Sequence, residues 1–408
     1  MVIGRRIEET VRRVASAFPV VAVTGPRQSG KTTLVRHVFS DKPYVSLEDP
    51  MELAFAVEDP RGFLARFDQG AVFDEAQRWP ALFSYLQGMV DARRAPGRFV
   101  LTGSQQFGLM AGISQSLAGR VAMLTLLPFG LAEIPDAGHR SGRSDGLDGL
   151  LCMGGYPALH VQPGLQANDW FASYVATYLE RDVRQVLKVQ DLGNFQRFVR
   201  LCAGRIGQLL NLSALANEAG VAQTTARAWL TVLEASHLVH LLQPYYRNFG
   251  KRLVKTPKLY FVDTGLACWL LGLRSAEMLA LHPMRGALFE NWVVGEFLKA
   301  RLNQGESADL HFWRDNNGLE ADLVFEVATP QGVRLQTVEI KSGRTVTTDA
   351  VRAGRRSAAF APDEALTPWL VHGGDDRYVR SGVRVVPWHQ VPDVAAWDRR
   401  LEERPLTG

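Results

Sequence analysis

Residues 19–33 read PVVAVTGPRQSGKTT. An apolar, β-type run from Pro19 to Val23 stops at Thr24-Gly25, and after four intervening residues Gly30-Lys31-Thr32 opens LVRHVF, whose apolar spacing is helical. The match to G-x-x-x-x-G-K-[ST] is complete, and a strand before it and a helix after it supply the context that turns the motif into a phosphate site. Gly25 and Gly30 let the backbone wrap an anion without Cβ clashes, and the helix aims its first amides at the same place. Lys31 is placed to reach the β- and γ-phosphates, and the Thr32 hydroxyl to ligate Mg²⁺. The loop as a whole, Gly25, Pro26, Arg27, Gln28, Ser29, Gly30, Lys31, Thr32 and Thr33, is the expected ATP-binding segment.

Downstream the same rhythm repeats. Tyr44 to Leu47 reads as a second strand, and a helical region runs to about Phe67. Gly70-Ala71-Val72-Phe73-Asp74-Glu75 is then a short apolar strand ending in two carboxylates. One strand–helix unit after a phosphate loop, Asp74 is expected to hold the Mg²⁺ shell and Glu75 to polarise the attacking water. A helix around Leu82 to Arg94 leads to the strand Arg98 to Leu101, which ends in Thr102-Gly103-Ser104. These hydroxyls suit a sensor position between the acidic strand and the γ-phosphate, or equally the cap of a following helix. Arg120, just before VAMLTLLPF, has two readings: a cation for the γ-phosphate of a neighbouring subunit, which implies a homo-oligomer, or a surface ion-pair partner. Alternating strands and helices predict an α/β core, residues 1–135, with a parallel sheet and the nucleotide at the carboxyl ends of its strands.

The chain has 408 residues, 46% hydrophobic and 22% charged, with a formal charge of +4. Its pI near 9.0 is compatible with nucleic-acid binding without demanding it. Cys152, Cys202 and Cys268 lie far apart, so no disulfide framework or zinc spacing is expected, and reduced thiols suit a cytoplasmic protein. The opening MVIGRRIEETVRRVASAF reads as a basic amphipathic helix, and the longest apolar runs are too short to span a bilayer, so no membrane partner is expected.

Residues 136–149 read as a linker. From Asp169 to Val186 a helix carries Trp170, Phe171, Tyr174, Val175, Tyr178, Leu179 and Val183 on one stripe, with Arg181 and Arg184 flanking it, so 136–205 forms a linker and helical lid. Residues 206–275 show helix, tight turn at Gly220, helix and two β-segments, the order of a winged helix-turn-helix. Leu212, Leu215, Val221, Trp229, Leu230 and Leu233 supply its core. Gln223, Thr224, Thr225, Arg227 and Thr231 are left on the outer face of the second helix, with Arg247, Lys251, Arg252 and Lys255 in the wing. Those residue types suit DNA, although such a unit also packs against ATPase cores as a lid.

Residues 276–408 change character. GALFENWVVGEFLKARL reads as an amphipathic helix carrying Glu290. Asp322 begins one strand, and Glu339-Ile340-Lys341 closes another. Side chains at i and i+2 of a strand share a face, so Glu339 and Lys341 are expected side by side with Ile340 turned into the core. Asp322, Glu339 and Glu290 form a candidate Mg²⁺ set with Lys341 acting on a water, the requirement of a phosphodiester-cleaving site.

GPRQSGKTT, AVFDEAQ, LTGSQQ, SLAGR, YLERDV, KLYFVDTGL, GALFENWVV, FWRDNNGLEADLVFE and VEIKSG together resemble, in that order, bacterial and archaeal AAA-superfamily ATP-binding proteins. In these an archaeal-type ATPase is joined to a C-terminal domain of unknown function similar to restriction endonucleases. The resemblance implies ATP binding at Gly25 to Thr33 with Asp74-Glu75, and a PD-(D/E)xK-like fold around Glu290, Asp322, Glu339 and Lys341. Two functions follow as expectations: a Mg²⁺-dependent ATPase acting on or regulating DNA, or a nucleotide-dependent switch for DNA or a protein partner, with an inert nuclease fold.

Overall fold

The computed structural model describes residues 3–104, 116–135, 146–179, 192–246, 255–315, 318–361 and 363–395. After α1 (Glu8–Ala15), the first layer is built from β1 (Val20–Thr24), α2 (Lys31–Val38), β2 (Tyr44–Ser46), α3 (Pro50–Glu58), α4 (Pro60–Ala65), β3 (Ala71–Asp74), α5 (Leu82–Ala92), β4 (Phe99–Gly103) and β5 (Val121–Thr125). The five strands are parallel in the order β2-β3-β4-β1-β5. Helices on both faces leave no room for polar alternation, which is why β1, β3 and β4 read as continuous apolar runs. Ala22, Phe73 and Leu101 pack on one face of the sheet, while Val21, Val72 and Val100 pack on the other. Because β4 lies between β1 and β3, the phosphate-loop strand and the acidic strand are separated by the width of one strand.

The middle of the chain is helical: α6 (Gly146–Met153), α7 (Pro157–Val161), α8 (Ala167–Tyr174) passing into a π turn (Val175–Leu179), α9 (Leu192–Ala203), α10 (Leu212–Ala219) and α11 (Gln223–Ala235). Phe171, Tyr174 and Val175 of the expected stripe are buried, with Trp170 packed beside them against Tyr156. The side chains of Tyr178 and Leu179, together with Val183, Arg181 and Arg184, lie outside the described residues. Asn211 caps α10 by accepting from the Ala214 amide at 3.0 Å, and Gly220, at φ +75°, ends it in the left-handed conformation a Gly adopts without strain. Leu215, Trp229, Leu230 and Leu233 are buried as expected, and Leu212 and Val221 half-buried.

Next come β6 (Val239–Pro244) and β7 (Lys258–Phe261), α12 (Thr264–Leu270), α13 (Ala276–Ala280), α14 (Arg285–Asn303), β8 (His311–Arg314), β9 (Glu320–Thr329), β10 (Gly332–Lys341), α15 (Thr348–Ser357), β11 (Trp369–His372), β12 (Tyr378–Arg380), β13 (Val383–Pro387) and α16 (Val391–Ala395). The β6–β7 hairpin does not stand free: β6 pairs in parallel with β8 through Gln243↔His311 and Pro244↔Phe312. An eight-stranded sheet, β12-β13-β11-β10-β9-β8-β6-β7, therefore runs across residue 275, and among the described residues the main apolar core of this part draws on residues from Leu127 to Ala395.

α14 departs from the amphipathic expectation. It is buried on every side from Leu288 and Phe289, through Asn291, Trp292, Val293 and Val294, to Lys299, because it runs between the first layer and the large sheet. Its buried charges are matched: Glu296 accepts from the Leu131 amide at 2.8 Å, and Lys299 donates to the Phe129 carbonyl at 3.0 Å. Among the described residues no helix is long and apolar enough to cross a membrane.

Candidate functional site

The phosphate loop sits at the carboxyl end of β1. Gly25 has φ +145°, and a Cβ there would lie 2.0 Å from the Leu126 carbonyl oxygen, so only Gly fits. Gly30, at φ +93°, precedes the first residue of α2. Lys31 is buried, and its ammonium donates to the carbonyls of Gly25 at 3.0 Å and Pro26 at 2.8 Å, which holds it at the mouth of the loop. Ser29 is fully buried and its hydroxyl finds no partner among the described residues. Pro26 is buried and Arg27 half-buried, while Gln28, at φ +64°, and Thr33 are exposed on the rim.

Across the width of β4 the acidic strand closes on this loop. Thr32 Oγ1 donates to Asp74 Oδ2 at 2.8 Å, and the Tyr44 hydroxyl donates to the same oxygen at 2.6 Å. Thr102 donates to the other carboxylate oxygen. Burial and then the adjoining Asp74 carboxylate push the Tyr44 phenol above its ordinary pKa, so it remains a donor. Glu75 has φ +55°, a sparsely populated conformation for a residue with a side chain. Its amide donates to Thr102 Oγ1 at 3.2 Å, and its carboxylate accepts from Ser104 Oγ at 3.1 Å and from Gln77. Both hydroxyls of the predicted sensor strand thus meet the acidic pair. The segment that Ser104 would cap begins at residue 105, outside the described residues.

Tyr44, Gln77 and Arg5 were not legible as site residues. Arg5 is buried, with Nη1 donating to the Ser29 carbonyl at 2.8 Å, Nη2 to the Leu127 carbonyl at 2.7 Å, and Nε paired with Glu133 at 3.0 Å. Its guanidinium lies over the Phe129 ring, 4.8 Å from the centroid. Nothing in a basic leading helix distinguishes this arginine from its neighbours.

Arg120 is not brought to the phosphate loop of its own chain. Its carbonyl accepts from the Val20 amide at the amino-terminal edge of the parallel sheet, and a five-residue strand puts it about 15 Å from the loop. It forms a two-pronged pair with Asp91, at 2.7 and 3.0 Å, which matches the ion-pair reading.

The donor set suits Mg²⁺ and a nucleotide. A hydroxyl and a carboxylate in direct contact are hard oxygen ligands of the kind that hold this ion through one or two protein groups and substrate phosphates. The glycine-bounded loop and the start of α2 offer an anion the expected cradle.

The C-terminal set is assembled differently. Glu339 and Lys341 lie side by side, Nζ to Oε1 at 2.6 Å, with Ile340 buried between them as the strand period requires. Asp322 Oδ2 accepts from the Ile340 amide at 2.8 Å and lies 3.7 Å from Lys341 Nζ. Glu290 accepts from the Tyr260 hydroxyl at 2.5 Å and from Lys258 at 3.2 Å, and Lys258 also pairs with Glu320. Burial and then the Asp322 charge raise the pKa of both Glu290 and Glu339, the latter to about 7. Burial opposes the Lys258 charge, but Glu290, Asp322 and Glu320 outweigh it. Among the described residues no three acidic, His or Cys side chains are grouped to hold an ion, and Glu290, Asp322 and Glu339 stand around Lys258 and Lys341. Lys341 stands beside Glu339 as the strand period requires, and Lys258 brings a second cation to Glu290 and Glu320.

A sequence family described as an AAA domain matches residues 17–135. Two families described as domains of unknown function, DUF8612 and DUF4143, match residues 144–277 and 285–391. Residues 17–135 thus form an AAA-type domain, an α/β unit with a phosphate loop at the carboxyl end of its parallel sheet. The chain belongs to the family of the uncharacterized proteins Rv2008c of Mycobacterium tuberculosis and Mb2031c of Mycobacterium bovis, being 35% identical to each over 407 residues, 98% of this chain and 87% of theirs. Among solved structures it is similar to the Walker-type ATPase PABY2304 of Pyrococcus abyssi, with a TM-score of 0.47 and 14% identity over 66% of this chain and 96% of that one. It is also similar to the RuvB Holliday junction branch migration motor of Thermotoga maritima, at TM-score 0.30 and 18% identity over 59% of this chain and 90% of that one.

Proposed function

We propose that this chain binds and hydrolyses ATP, and that the nucleotide state is passed to its helix-turn-helix and C-terminal parts. The observation that carries the reading is the convergence of Lys31, Thr32, Asp74 and Glu75 at one end of the parallel sheet, with Thr102 and Ser104 bonded to the two carboxylates. Thr32 and Asp74 would hold Mg²⁺, which neutralises phosphate charge when bound. Lys31 compensates charge on the terminal phosphates, and Glu75, oriented by Ser104 and Gln77, accepts a proton from the attacking water. Purified protein with Mg²⁺ and ATP should release phosphate, and the activity should vanish in Lys31→Ala and Glu75→Gln. Full turnover in both variants would remove the reading.

The output is proposed to be a nucleotide-dependent switch on DNA, with the C-terminal fold nuclease-like in shape but inert. The pairing of Lys258 with Glu290 and Glu320, and of Lys341 with Glu339, favours this over phosphodiester cleavage. For DNA, the helix-turn-helix of α10 and α11 with the β6–β7 hairpin is proposed as a winged helix: Gln223, Thr224, Arg227 and Thr231 are exposed on α11, Thr225 is half-buried, and Lys255 is exposed before β7. Arg247, Lys251 and Arg252 lie outside the described residues. ATP-dependent retardation of duplex DNA that is lost in Arg227→Ala, together with no nicking of plasmid by Mg²⁺ or Mn²⁺, is the expected pattern. Nicking abolished by Asp322→Ala would favour an active nuclease instead.

A further inference from the structure

Two cysteines that lie far apart in the chain meet where α12 packs against α6. Gly265 makes the approach close: a Cβ there would lie 2.7 Å from the Met153 carbonyl oxygen and 2.8 Å from the Gly154 amide nitrogen, so backbone meets backbone with no side chain between. Cys268 is three residues further along α12 and therefore on the same face. Its thiol donates to the Leu151 carbonyl of α6 at 3.7 Å. That carbonyl belongs to the peptide bond whose nitrogen is Cys152, so the Cys268 sulfur lies against the backbone of the other cysteine. The Cys152 thiol donates to the Ser275 carbonyl at 3.4 Å, in the segment after α12 that is folded back by the Leu273 amide donating to the Cys268 carbonyl at 2.9 Å. Two cysteines can be bridged only where their Cα atoms come within about 7 Å, and a helix contact without an intervening side chain supplies that approach.

The two thiols differ in character. Both are free, Cys152 half-buried and Cys268 fully buried. The neighbouring Cys268 thiol holds the Cys152 pKa below its ordinary value, whereas the same contact and then burial keep Cys268 well above its own. Cys202, on α9, is fully buried, and burial pushes its pKa up to about 12, so it remains an unreactive thiol. A more acidic, accessible cysteine with a second thiol against it is the arrangement that reversible oxidation requires.

We infer that Cys152 and Cys268 form a peroxide-sensitive pair that closes reversibly into a disulfide, Cys152 as the attacking sulfur and Cys268 as the resolving one. The Cys152 thiolate, its proton given to solvent, attacks one oxygen of a hydroperoxide; the S–O bond forms, the O–O bond breaks, and the departing oxygen leaves as water after protonation. The Cys268 sulfur then attacks the sulfenic sulfur, the S–S bond forms, and the hydroxyl leaves as a second water with the Cys268 proton. Two thiols are oxidised by two electrons and one peroxide is reduced. The bond would staple α6 to α12. α6 runs through Gly154 and Gly155 to Pro157, 3.8 Å from where a Gly30 Cβ would be, and the Gly155 amide donates to Asp263, the cap of α12, at 2.7 Å. The staple therefore fixes the segment that abuts the phosphate loop. The inference does not depend on the ATP-binding reading.

The test treats the dilute full chain with hydrogen peroxide, counts thiols, and maps peptides by mass after alkylation without reduction. The expected result is loss of two of the three thiols, a peptide linking Cys152 to Cys268, an alkylated Cys202, and recovery of both thiols in dithiothreitol. Cys268→Ser should leave Cys152 as a sulfenic acid that dimedone labels, whereas Cys152→Ser should keep both of its remaining thiols. Persistence of all three thiols in the unaltered chain, a link between chains in place of one within the chain, or dimedone labelling of Cys268 in Cys152→Ser overturns the assignment. The linked peptide is read on the unaltered chain, so the test stands if Cys268→Ser folds poorly.

Discussion

Thr32 and Asp74 are 42 positions apart in the chain, yet the hydroxyl of one donates to the carboxylate of the other at 2.8 Å. The contact joins the first turn of α2 to the end of β3 across the intervening strand, and Tyr44 completes it from β2. Asp74→Asn is expected to keep the fold, since the amide oxygen still accepts the Thr32 and Tyr44 hydroxyls and the amide nitrogen can donate to Thr102, but to lower Mg²⁺-dependent phosphate release about a hundredfold by removing the charge that holds the ion. Tyr44→Phe should lower it far less, about threefold to tenfold, because a single hydrogen bond to a charged group is lost. Initial rates across a Mg²⁺ titration would check both; equal rates in Asp74→Asn and the unaltered chain would contradict the assignment.

Arg5 fixes the back of the phosphate loop through the Ser29 carbonyl while neutralising Glu133. Arg5→Ala leaves a buried carboxylate without its countercharge and two buried carbonyls without their donor, so a loss of about 3 to 5 kcal/mol in stability is expected. Arg5→Lys keeps the charge but not the fork, and should recover stability in part while nucleotide affinity stays reduced. Urea unfolding and nucleotide titration of the two variants separate these effects.

Lys258 is the cation shared by Glu290 and Glu320. Lys258→Ala should destabilise the C-terminal part by about 3 to 5 kcal/mol, the cost of stranding buried charge. Millimolar Mg²⁺ or Mn²⁺ should then raise the melting temperature of this variant but not of Lys258→Ala combined with Glu290→Gln. A Lys258→Ala variant as stable as the unaltered chain would show that the carboxylates are protonated and need no cation.

Glu339, with its pKa raised to about 7 by burial and the Asp322 charge, gives a pH dependence of definite sign. Between its ordinary value near 4.5 and about 7 the folded chain holds a proton that the unfolded chain has released, so this group lowers stability as pH rises through that window. Relative to Glu339→Gln, which cannot titrate, the unaltered chain should lose on the order of 2 kcal/mol between about pH 5 and pH 7. Denaturant midpoints of both proteins at the two pH values measure the difference. His237 and His240, each lowered to about 4, act in the opposite direction as pH falls below about 6.5, and the paired comparison cancels them.

Much of the proposed ATP site was legible because its chemistry is written in adjacent residues. Gly25, Gly30, Lys31 and Thr32 lie close together in the chain, and their backbone demands admit few alternatives. Asp74 and Glu75 were readable because an apolar strand ending in two acids is equally local. Lys258 escaped for the opposite reason: in KLYFVD it looks like the polar start of a strand, and its burial follows from where α14 and β9 come to lie. Spacing along the chain could not show that Arg120 lies at the far edge of the sheet from its own phosphate loop, paired with Asp91.

By itself the sequence determined the phosphate loop, the acidic strand and the alternation that makes a parallel sheet, since each depends on residues within one or two turns or strands. Only the tertiary structure decided which charges meet. Pairing of β6 with β8 fused the hairpin to the C-terminal sheet, and the approach of α14 and β9 to β7 set Lys258 between Glu290 and Glu320. Electrostatic energies depend on distance and burial, and neither is encoded by spacing along the chain.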